Sequence, residues 1–318
     1  MSLRVIGVDA GATKTLAYLA DERATILAQA QGPGANFYTT ETSAVEGVLR
    51  DVLEALASKA GASPSAVCIG MAGVDREDEA DAVRKIVERA GHRGPVAVVN
   101  DALIALAAGT GDGPGIVIIS GTGSIVYGRN ASNEAARCGG WGHIIGDEGS
   151  GYWIGREALA AVVRADDGRG ERTRLTDEVL RHFGVDAIAR LTRLVCDREL
   201  PNVSVAVLAP IVQQAFEQGD GVAVEIVGRA AQELTIAARS VGERLRLDGS
   251  GIPVLLAGGV FQVVPSLVSD LSARLPGAVT DCRVELLDRE PARGAVHLAI
   301  AHARGELVLP RYVERGVA

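Results

Sequence analysis

Two short glycine-rich turns lie far apart in the sequence, in the segments DAGATKT and ISGTGS. The first turn contains Gly11, Thr13 and Lys14, and the second contains Gly121, Thr122 and Gly123. A glycine turn exposes backbone N–H groups without side-chain obstruction, so two such turns can hold phosphate oxygens between them. Neither turn has the GxxxxGK spacing of a Walker A loop, and either one alone also fits an ordinary hairpin. Because each turn opens one half of the chain, the pair predicts a phosphate-binding site.

Two aspartates are placed where they can act on a ligand. Asp9 directly precedes the first glycine turn, where a carboxylate repels phosphate unless a cation lies between them. This placement predicts Mg²⁺ at Asp9, and the alternative is an aspartate that forms the turn. Asp101 follows the apolar run PVAVV, at the carboxyl end of a predicted strand, where α/β sheets bind their ligands. From these residues alone, a general base and a helix N-cap fit Asp101 equally well.

The segment CGGWGHIIGDEGSGYWIG, residues 138–155, is dense in glycine, tryptophan and acid. Its glycines let the backbone approach a small polar ligand, and Trp141 offers a flat apolar wall. Asp147 can accept hydrogen bonds from two neighbouring hydroxyl groups. Glu148 fits the same role, or a place in the first turn of the next helix, and Trp153 is expected in the core. The alternative for the whole segment is a turn that leads into a helix.

Alternating strands and helices must position these residues. In the first half, LRVIGV, AVCIGMAG and GPVAVVND predict strands, and apolar residues at helical spacing predict helices after GPGANFYT and over REDEADAVRKIVERAG. The pattern restarts with the strands GPGIVIIS and IVYGRN around the second turn. Further helices are expected at residues 155–164, 187–195, 205–217 and 222–245, followed by the strands GIPVLLAGGVF and CRVELLD and a last helix, ARGAVHLAIAHARG. This alternation predicts an α/β fold with a mixed sheet.

Composition narrows the classes of function. The 318 residues are 47% hydrophobic and 23% charged, which is typical of a globular protein. The net charge of −8, without a dense basic block, argues against nucleic acid as a partner, although a nucleotide can be held by backbone amides and a metal ion. The scattered cysteines Cys68, Cys138, Cys196 and Cys282 argue against structural zinc and disulfides. No apolar run approaches a membrane span and no signal peptide is evident, so we expect a two-domain cytoplasmic protein.

Five segments, GVDAGATKT, NDALIA, ISGTGS, CGGWGHIIGDEGSGYWIG and LAGGV, occur in this order. Together they resemble the N-acetylglucosamine kinase family, within the BadF/BadG/BcrA/BcrD ATPase group of the sugar kinase, actin and heat-shock chaperone ATPase superfamily. The resemblance covers nearly the whole chain. It implies an α/β fold of two ribonuclease-H-like, actin-like ATPase domains flanking a cleft. The expected N-terminal domain spans residues 1–110 and is joined by a C-terminal helix within residues 292–310, and the C-terminal domain spans residues 111–291.

The resemblance also implies ATP and Mg²⁺ as cofactors and an amino sugar as acceptor. Nucleotide contacts are implied for the two glycine turns and a late turn, through Gly11, Thr13, Lys14, Gly121, Thr122, Gly123, Gly258 and Gly259. Sugar contacts are implied for Asn36, Asp101, Gly140, Trp141, Gly142 and Asp147. With this resemblance Asp101 is expected to be the catalytic base, and Asp9 keeps its predicted Mg²⁺.

The expected activity is phosphorylation of the 6-hydroxyl of N-acetylglucosamine by ATP. One alternative is a related acceptor: glucosamine, N-acetylmuramate or glucose. Another is an ATPase activator of an iron–sulfur dehydratase or reductase, which requires cysteines at a subunit interface. The expected partners are the small sugar and a second copy of the chain in a homodimer, with no nucleic acid and no membrane.

Overall fold

The computed structural model describes residues 3–38, 40–61, 63–74, 76–196, 202–247 and 251–313. The chain divides into two compact units, each built from several segments. Unit 1 comprises Met1–Val117, Gly128–Ala135 and Leu287–Glu314, and unit 2 comprises Ile118–Tyr127, Ala136–Leu286 and Arg315–Ala318. A late segment of the chain therefore belongs to a unit formed mostly by its first third.

The strands of the described residues form two sheets. They are β1 (Arg4–Ala10), β2 (Lys14–Asp21), β3 (Ile26–Pro33), β4 (Ala66–Met71), β5 (Val96–Asn100), β6 (Gly115–Ser120), β7 (Ser124–Arg129), β8 (Glu134–Gly139), β9 (Pro253–Ala257), β10 (Arg283–Leu286) and β11 (Arg311–Tyr312). Sheet A has the order β3-β2-β1-β4-β5, and sheet B has the order β10-β9-β6-β7-β8-β11.

The helices of the described residues are mostly short. They are α1 (Thr42–Ala60), α2 (Glu77–Arg89), α3 (Asp101–Thr110), α4 (Gly151–Asp166), α5 (Leu175–His182), α6 (Ile188–Cys196), α7 (Asn202–Ala206), α8 (Ala209–Glu217), α9 (Gly221–Leu245), α10 (Val260–Val263), α11 (Pro265–Ala278) and α12 (Ala292–Ala303). None of the helices within the described ranges combines the length and apolar character needed to cross a membrane.

Sheet A places the predicted site residues of unit 1 at one edge. β1 and β2 pair antiparallel as a hairpin around the first glycine turn. β1, β4 and β5 run parallel, with Asp9 opposite Gly70 and Met71 opposite Asn100. Their carboxyl ends therefore meet at the same edge, which is where α/β sheets bind ligands. The first glycine turn and the start of α3 both lie at this edge.

Helices cover both faces of sheet A. Ile6 and Val8 of β1 point into an apolar core that α1 and α2 enclose. Because side chains alternate along a strand, Gly7 faces the other side, where α12 packs on β1, β4 and α3. A Cβ on Gly7 would lie 2.3 Å from a backbone nitrogen of α12, and a Cβ on Gly294 would lie 1.9 Å from the backbone oxygen of Ile104. Glycine at these positions lets α12 lie close against both sheet A and α3.

In unit 2 the long helix α9 packs against α4, α8 and α11. Its N-cap is Asp220, whose side chain accepts a hydrogen bond from Ala223 N at 3.0 Å. The N-cap of α4 is Ser150, whose buried Oγ accepts a hydrogen bond from Trp153 N at 3.1 Å. These caps satisfy N–H groups that a helix end otherwise leaves unpaired. The start of α4 is thereby fixed immediately after the glycine–tryptophan segment.

Some elements differ from the sequence predictions. The single helix predicted at residues 205–217 is wrong, because α7 ends at Ala206 and α8 begins at Ala209. Pro210 lies in the first turn of α8, and within a continuous helix its ring would clash with the carbonyl of Ala206. The strands β3, β8 and β11 and the helices α5, α10 and α11 had no counterpart in the predictions. β3 is an edge strand whose half-buried and exposed residues alternate, which gives a weak apolar pattern.

Candidate functional site

An acidic cluster at the carboxyl edge of sheet A carries the first predicted site residues. Asp9 lies in β1, and Asp101 opens α3 directly after β5. Burial first, and repulsion from the Asp101 carboxylate second, raise the pKa of Asp9 to about 7. Lys14 opposes this rise in the pKa, and Glu290 adds to it. A cation bound at this edge would relieve the repulsion between the carboxylates.

Asp101 does not cap helix α3. The N-cap is Asn100, whose Oδ1 accepts a hydrogen bond from Ala102 N at 2.9 Å. The alternative of Asp101 as the N-cap is therefore wrong, because Asp101 is already the first residue of the helix. Its half-buried carboxylate lies in the first turn, where the helix dipole favours negative charge. This position is compatible with the predicted base.

The first glycine turn is closed by one backbone hydrogen bond, from Gly11 N to Lys14 O at 3.0 Å. The side chains of Thr13 and Lys14 are exposed. Lys14 Nζ lies 3.3 Å from Glu290 Oε2, which comes from the segment just before α12. Both side chains of this ion pair remain largely solvent-accessible, so its own contribution to stability is small. Its effect is to keep a lysine beside the turn.

The loop that carries Asn36 packs on this turn. Ala35 N donates to Gly11 O at 3.0 Å, and a Cβ on Gly34 would lie only 2.1 Å from a backbone oxygen of the turn. Asn36 Oδ1 accepts a hydrogen bond from Tyr38 N at 2.9 Å, which is typical of a turn-forming asparagine. The structure thus brings Asn36 to the first turn, and its contact with a sugar stays a prediction.

The second glycine turn is joined to the start of α4. Gly121 N donates to Gly123 O at 2.9 Å within the turn. From α4, Gly151 N donates to Gly121 O at 2.8 Å, and Tyr152 N donates to Thr122 O at 3.3 Å. The helix therefore satisfies carbonyl groups of the turn, which would otherwise repel an anion.

Two serine hydroxyls fix the ends of the second turn. Ser120 Oγ donates to Gly149 O at 2.8 Å, and Ser124 Oγ donates to Glu148 O at 2.8 Å. Both acceptors are backbone oxygens of the segment that leads into α4. The second turn and the end of the glycine–tryptophan segment are therefore held together from both sides.

The late glycine pair lies beside the same turn. A Cβ on Gly258 would lie 2.2 Å from the backbone oxygen of Ser120, and the φ of Gly258 is +109°, so only glycine fits. Gly259 is exposed and directly precedes α10. The structure brings this pair to the second turn, and its contact with a nucleotide stays a prediction.

Trp141 is presented on the surface of unit 2. Its neighbours Gly140 and Gly142 have φ values of +71° and +84°, which favour glycine. Its side chain is 49% exposed, and the Arg137 guanidinium carbon lies 4.6 Å from the centroid of its ring. This distance suits a cation–π interaction, which orients the ring without burying it. Trp153, by contrast, is only 4% exposed, which confirms its prediction as core.

Asp147 links the glycine–tryptophan segment to the second turn. It is buried, has a φ of +59°, and its carboxylate accepts hydrogen bonds from the backbone N–H groups of Ser124 and Gly142. Burial raises the pKa of Asp147, and these hydrogen bonds oppose the rise. A Cβ on Gly123 would lie 2.8 Å from Asp147 Oδ2. Glycine at this position therefore makes room for the carboxylate.

His143 and Glu148 have structural contacts in this region. His143 Nδ1 lies 3.0 Å from Asn202 Nδ2, and its ring packs edge-on against Tyr152 with centroids 4.9 Å apart. The Glu148 side chain is exposed, while its backbone oxygen accepts from the Ser124 hydroxyl. These contacts give His143 a structural role in the loop.

A divalent cation fits the oxygen donors at the acidic edge of sheet A. Within the described residues, no group of three or more His, Cys, Asp or Glu side chains is arranged to hold a metal. Mg²⁺ usually takes one or two carboxylates and completes its shell with water and substrate phosphates. Asp9 and Asp101, which lie close enough for one to raise the pKa of the other, form such a donor pair.

Several contacts of the site had no sequence prediction. Glu290 pairs with Lys14 across 276 residues of sequence, and no local pattern connects them. The charged run DREPAR before α12 was the available signal. Arg137 beside Trp141 and Asn100 as the cap of α3 were also missed, because their roles depend on contacts rather than on spacing.

The predicted site residues fall into two groups, one in each unit. Unit 1 contains Asp9, Gly11, Thr13, Lys14, Asn36 and Asp101. Unit 2 contains Gly121, Thr122, Gly123, Gly140, Trp141, Gly142, Asp147, Gly258 and Gly259. Each group gathers one glycine turn and at least one carboxylate.

Comparison with protein families decides the affiliation of the chain. Residues 6–299 match the model of the BadF/BadG/BcrA/BcrD ATPase family. This chain belongs to that family. This match confirms the family resemblance that the five sequence segments indicated.

Two curated relatives match this family member along nearly its whole length. The N-acetylmuramic acid/N-acetylglucosamine kinase of Clostridium acetobutylicum is 35% identical over 298 residues, 93% of this chain and 97% of the relative. The N-acetyl-D-glucosamine kinase of Dictyostelium discoideum is 30% identical over 309 residues, with the same coverage of 93% and 97%. A solved structure from Chromobacterium violaceum, described provisionally as an N-acetylglucosamine kinase, has a TM-score of 0.76 at 27% identity and covers 94% of this chain and 99% of its own. This likeness confirms the predicted α/β fold class.

Proposed function

We propose that this chain transfers the γ-phosphoryl group of ATP to the 6-hydroxyl of N-acetylglucosamine. Its family and the names of its relatives confirm the predicted class, an ATP-dependent sugar kinase. The observation that carries the mechanism is the acidic edge of sheet A, where Asp9 and Asp101 interact beside the first glycine turn. Phosphoryl transfer to a hydroxyl needs both a divalent cation and a proton acceptor, and this edge supplies carboxylates for the two roles.

Asp101 is the proposed base. As the 6-oxygen of the sugar forms its bond to the γ-phosphorus, the bond to the β,γ-bridging oxygen breaks and ADP leaves. The Asp101 carboxylate takes the proton of the hydroxyl, which typically contributes about 10²–10⁴-fold to such a rate. Mg²⁺ neutralises charge on the phosphates when it is bound, and Asp9 is its proposed protein ligand.

The proposed nucleotide contacts come from the glycine turns. Backbone N–H groups in such turns bind phosphate oxygens, and hydroxyl and ammonium groups add to them. The proposed residues are Gly11, Thr13, Lys14, Gly121, Thr122, Gly123, Gly258 and Gly259. The hydrogen bonds that fix the second turn support its proposed role in binding phosphate, because a preformed turn needs no reordering when phosphate binds.

The proposed sugar contacts are polar groups around one apolar ring. An exposed Trp141, oriented by Arg137, offers its face to a sugar ring or an acetyl methyl group. Asn36, Asp101 and Asp147 provide donors and acceptors for hydroxyl groups. Gly140 and Gly142 allow the backbone to approach the ligand.

N-acetylmuramic acid is a second candidate acceptor. The relative from Clostridium acetobutylicum, at 35% identity, is named for both sugars. Both carry the 2-acetamido group and a free 6-hydroxyl, so one site with one base serves both.

The alternative of an iron–sulfur activator has little support from the thiols. Burial raises the pKa of Cys68 to about 12, which keeps it as an inert thiol. Cys138 and Cys282 are half-buried free thiols, and the side chain of Cys196 lies outside the described residues. We expect protein purified without oxygen to contain no iron, and stoichiometric iron and sulfide would favour the activator.

We also propose that the protein is cytoplasmic and forms a homodimer. Scattered free thiols suit a reducing compartment, where ATP is also available. The absolute mass of the protein in solution, from light scattering, tests the predicted dimer.

The decisive experiment is an ADP-release assay with Mg-ATP and a panel of acceptors. N-acetylglucosamine should stimulate ADP release strongly, and phosphorus NMR should find the product phosphorylated at the 6-position. N-acetylmuramic acid, glucosamine and glucose serve as comparisons that rank the acceptors. If no sugar of this panel raises ADP release above the background, the kinase assignment fails.

A further inference from the structure

A cavity of about 220 Å³ lies in unit 1, and none of the predicted site residues lines it. Its walls come from the last turn of α3, the β2–β3 connection and the first turns of α12. α3 begins at the carboxyl edge of sheet A and extends about 15 Å away from it. The cavity therefore lies near the opposite edge of sheet A from Asp9 and Asp101.

Three basic side chains line this cavity. Arg289, Arg293 and His297 follow one another at intervals of four residues, so they share one face of α12 and the turn before it. No carboxylate lines the cavity within the part of the chain that the structure describes. Its positive charge therefore comes from two arginines, with a histidine beside them.

The three basic groups differ in their carboxylate partners. Arg289 Nε lies 3.8 Å from Asp288 Oδ1 in an exposed and therefore weak pair, and His297 Nε2 lies 3.1 Å from Asp112 Oδ2. Among the described residues, Arg293 has no ion pair, and its guanidinium carbon lies 5.8 Å from the centroid of the Tyr18 ring. Arg293 is an exposed side chain that lines both this cavity and the neighbouring hollow that contains Tyr18.

Arg293 lies at the end of α12 where the helix dipole disfavours positive charge. It is the second residue of α12, where the helix dipole places partial positive charge and where acidic residues are normally favoured. The first turn of α12 contains no acid, and its N-cap, Pro291, makes no side-chain cap hydrogen bond. An anion in the cavity would neutralise both the arginine and the helix end.

The opposite wall is built from small apolar groups. Ala24, Ile26, Ala107 and Gly111 form part of it. The cavity is smaller than the roughly 300–1,000 Å³ of pockets for drug-sized ligands, so it suits a small anion rather than a nucleotide. A larger neighbouring hollow shares the two arginines but also contains Asp288 and Glu290, which disfavour anions there.

We infer that this cavity is a binding site for a small phosphate-bearing anion, held by Arg289 and Arg293 and separate from the two glycine turns. Guanidinium groups suit phosphate because their N–H donors match its oxygens in pairs. Free phosphate and a sugar phosphate share this chemistry.

Calorimetric titration with inorganic phosphate, and separately with N-acetylglucosamine 6-phosphate, tests this inference. A saturating unhydrolysable ATP analogue with Mg²⁺ is present throughout, so that phosphate contacts proposed at the glycine turns are already occupied. We expect Arg293→Gln to weaken phosphate binding by about tenfold or more, and Arg293→Lys to retain part of it. The tighter of the two probes identifies whether the phosphate is free or carried by a sugar.

The matched control is Arg50→Gln, an exposed arginine on α1, on the other side of sheet A. It should bind both probes as the unmodified protein does. Thermal melting of each variant verifies that it is folded. Equal phosphate affinity in Arg293→Gln and the unmodified protein, or no saturable binding to the latter, would overturn the inference.

Discussion

The two glycine turns resemble each other in sequence and differ in what surrounds them. The turn of unit 1 lies beside Asp9, with an exposed lysine paired to Glu290, and one internal hydrogen bond closes it. The turn of unit 2 is held by α4 and two serine hydroxyls, and the Asp147 carboxylate packs against Gly123. The first turn is thus defined by charge, and the second by close packing.

This difference separates the substitutions that should affect each turn. A substitution that removes a charge but keeps the shape should matter most in unit 1, where burial and, second to it, repulsion from Asp101 raise the pKa of Asp9. Among the glycines of the two turns themselves, an added methyl group should matter most at Gly123, whose Cβ would lie 2.8 Å from Asp147 Oδ2, against 3.3 Å from Lys14 O for a Cβ on Gly11. Three variants test this division.

Asp101→Asn should have the largest effect. It keeps the shape of the side chain and most of its hydrogen bonding but removes the proton acceptor, so kcat should fall by about 10²–10⁴-fold. The Michaelis constant for the sugar should change by only about a few fold. Asn100→Ala is the matched control: loss of the cap should cost about 1 kcal/mol in stability and leave most of the turnover. Near-normal turnover in Asp101→Asn would transfer the base role to Asp147.

Gly123→Ala should lower kcat/KM by roughly 30-fold, equivalent to about 2 kcal/mol. Its new Cβ would lie 2.8 Å from Asp147 Oδ2, so the carboxylate must move. Gly121→Ala, two residues earlier, is the control, because no atom lies within 4 Å of its Cβ. Steady-state kinetics on both variants measures the difference. Equal losses in the two would mean that packing against Asp147 does not define this turn.

Asp9→Asn should raise the Mg²⁺ concentration for half-maximal activity by about tenfold, and it should also stabilise the protein. The pKa of Asp9 is about 7 in the folded chain against an ordinary value of 3.8, so the folded state holds this proton more tightly. Stability is therefore lost as the pH rises between these values, by up to about 1.4 kcal/mol per pH unit. The asparagine removes that loss.

Thermal melting over a range of pH measures this stabilisation. The melting temperature of Asp9→Asn should exceed that of the unmodified protein by several degrees at pH 8 and match it near pH 4. Asp51→Asn, an exposed carboxylate on α1, should melt at the same temperature as the unmodified protein at both pH values. A lower melting temperature for Asp9→Asn at pH 8 would contradict the role of charge repulsion at the first turn.

The two tryptophans of unit 2 differ in burial: Trp141 is exposed and Trp153 lies in the core. Trp141→Ala should weaken sugar binding by about tenfold with little change in stability, whereas Trp153→Ala should cost about 3–5 kcal/mol in folding. Titration of N-acetylglucosamine without ATP should give a saturable change in fluorescence that persists in Trp153→Phe and disappears in Trp141→Phe. Normal sugar binding by a less stable Trp141→Ala protein would make this segment structural.

Local patterns in the sequence predicted helices and helix ends, which depend on residues close together along the chain. Val45, Leu49 and Leu56 recur at helical spacing, and α1 contains them all, with Gly61 at its end in a left-handed conformation. The same reasoning failed at residues 205–217, because the effect of Pro210 on the preceding turn was overlooked.

Features that depend on distant contacts escaped prediction. Glu290 reaches the first turn only because α12 returns to sheet A, and it adds a small share to a pKa of Asp9 that burial and Asp101 raise most. The cap of α3 was placed one residue too late, since Asn100 and Asp101 are both good capping residues and only the backbone distinguishes them. The sequence was sufficient to nominate residues for the site. It did not show which charged side chains lie near them in the folded chain.

The close packing of α12 has a consequence for how the protein is made. Helix α12, residues 292–303, packs on one face of sheet A and on α3. The ribosome synthesises this helix long after β5. At roughly 5–20 residues per second, about 10–40 s pass between the two. During that interval unit 1 exposes apolar surface that molecular chaperones recognise. A nonsense mutation upstream of residue 292 therefore leaves an uncovered, aggregation-prone sheet even when every predicted site residue has been translated.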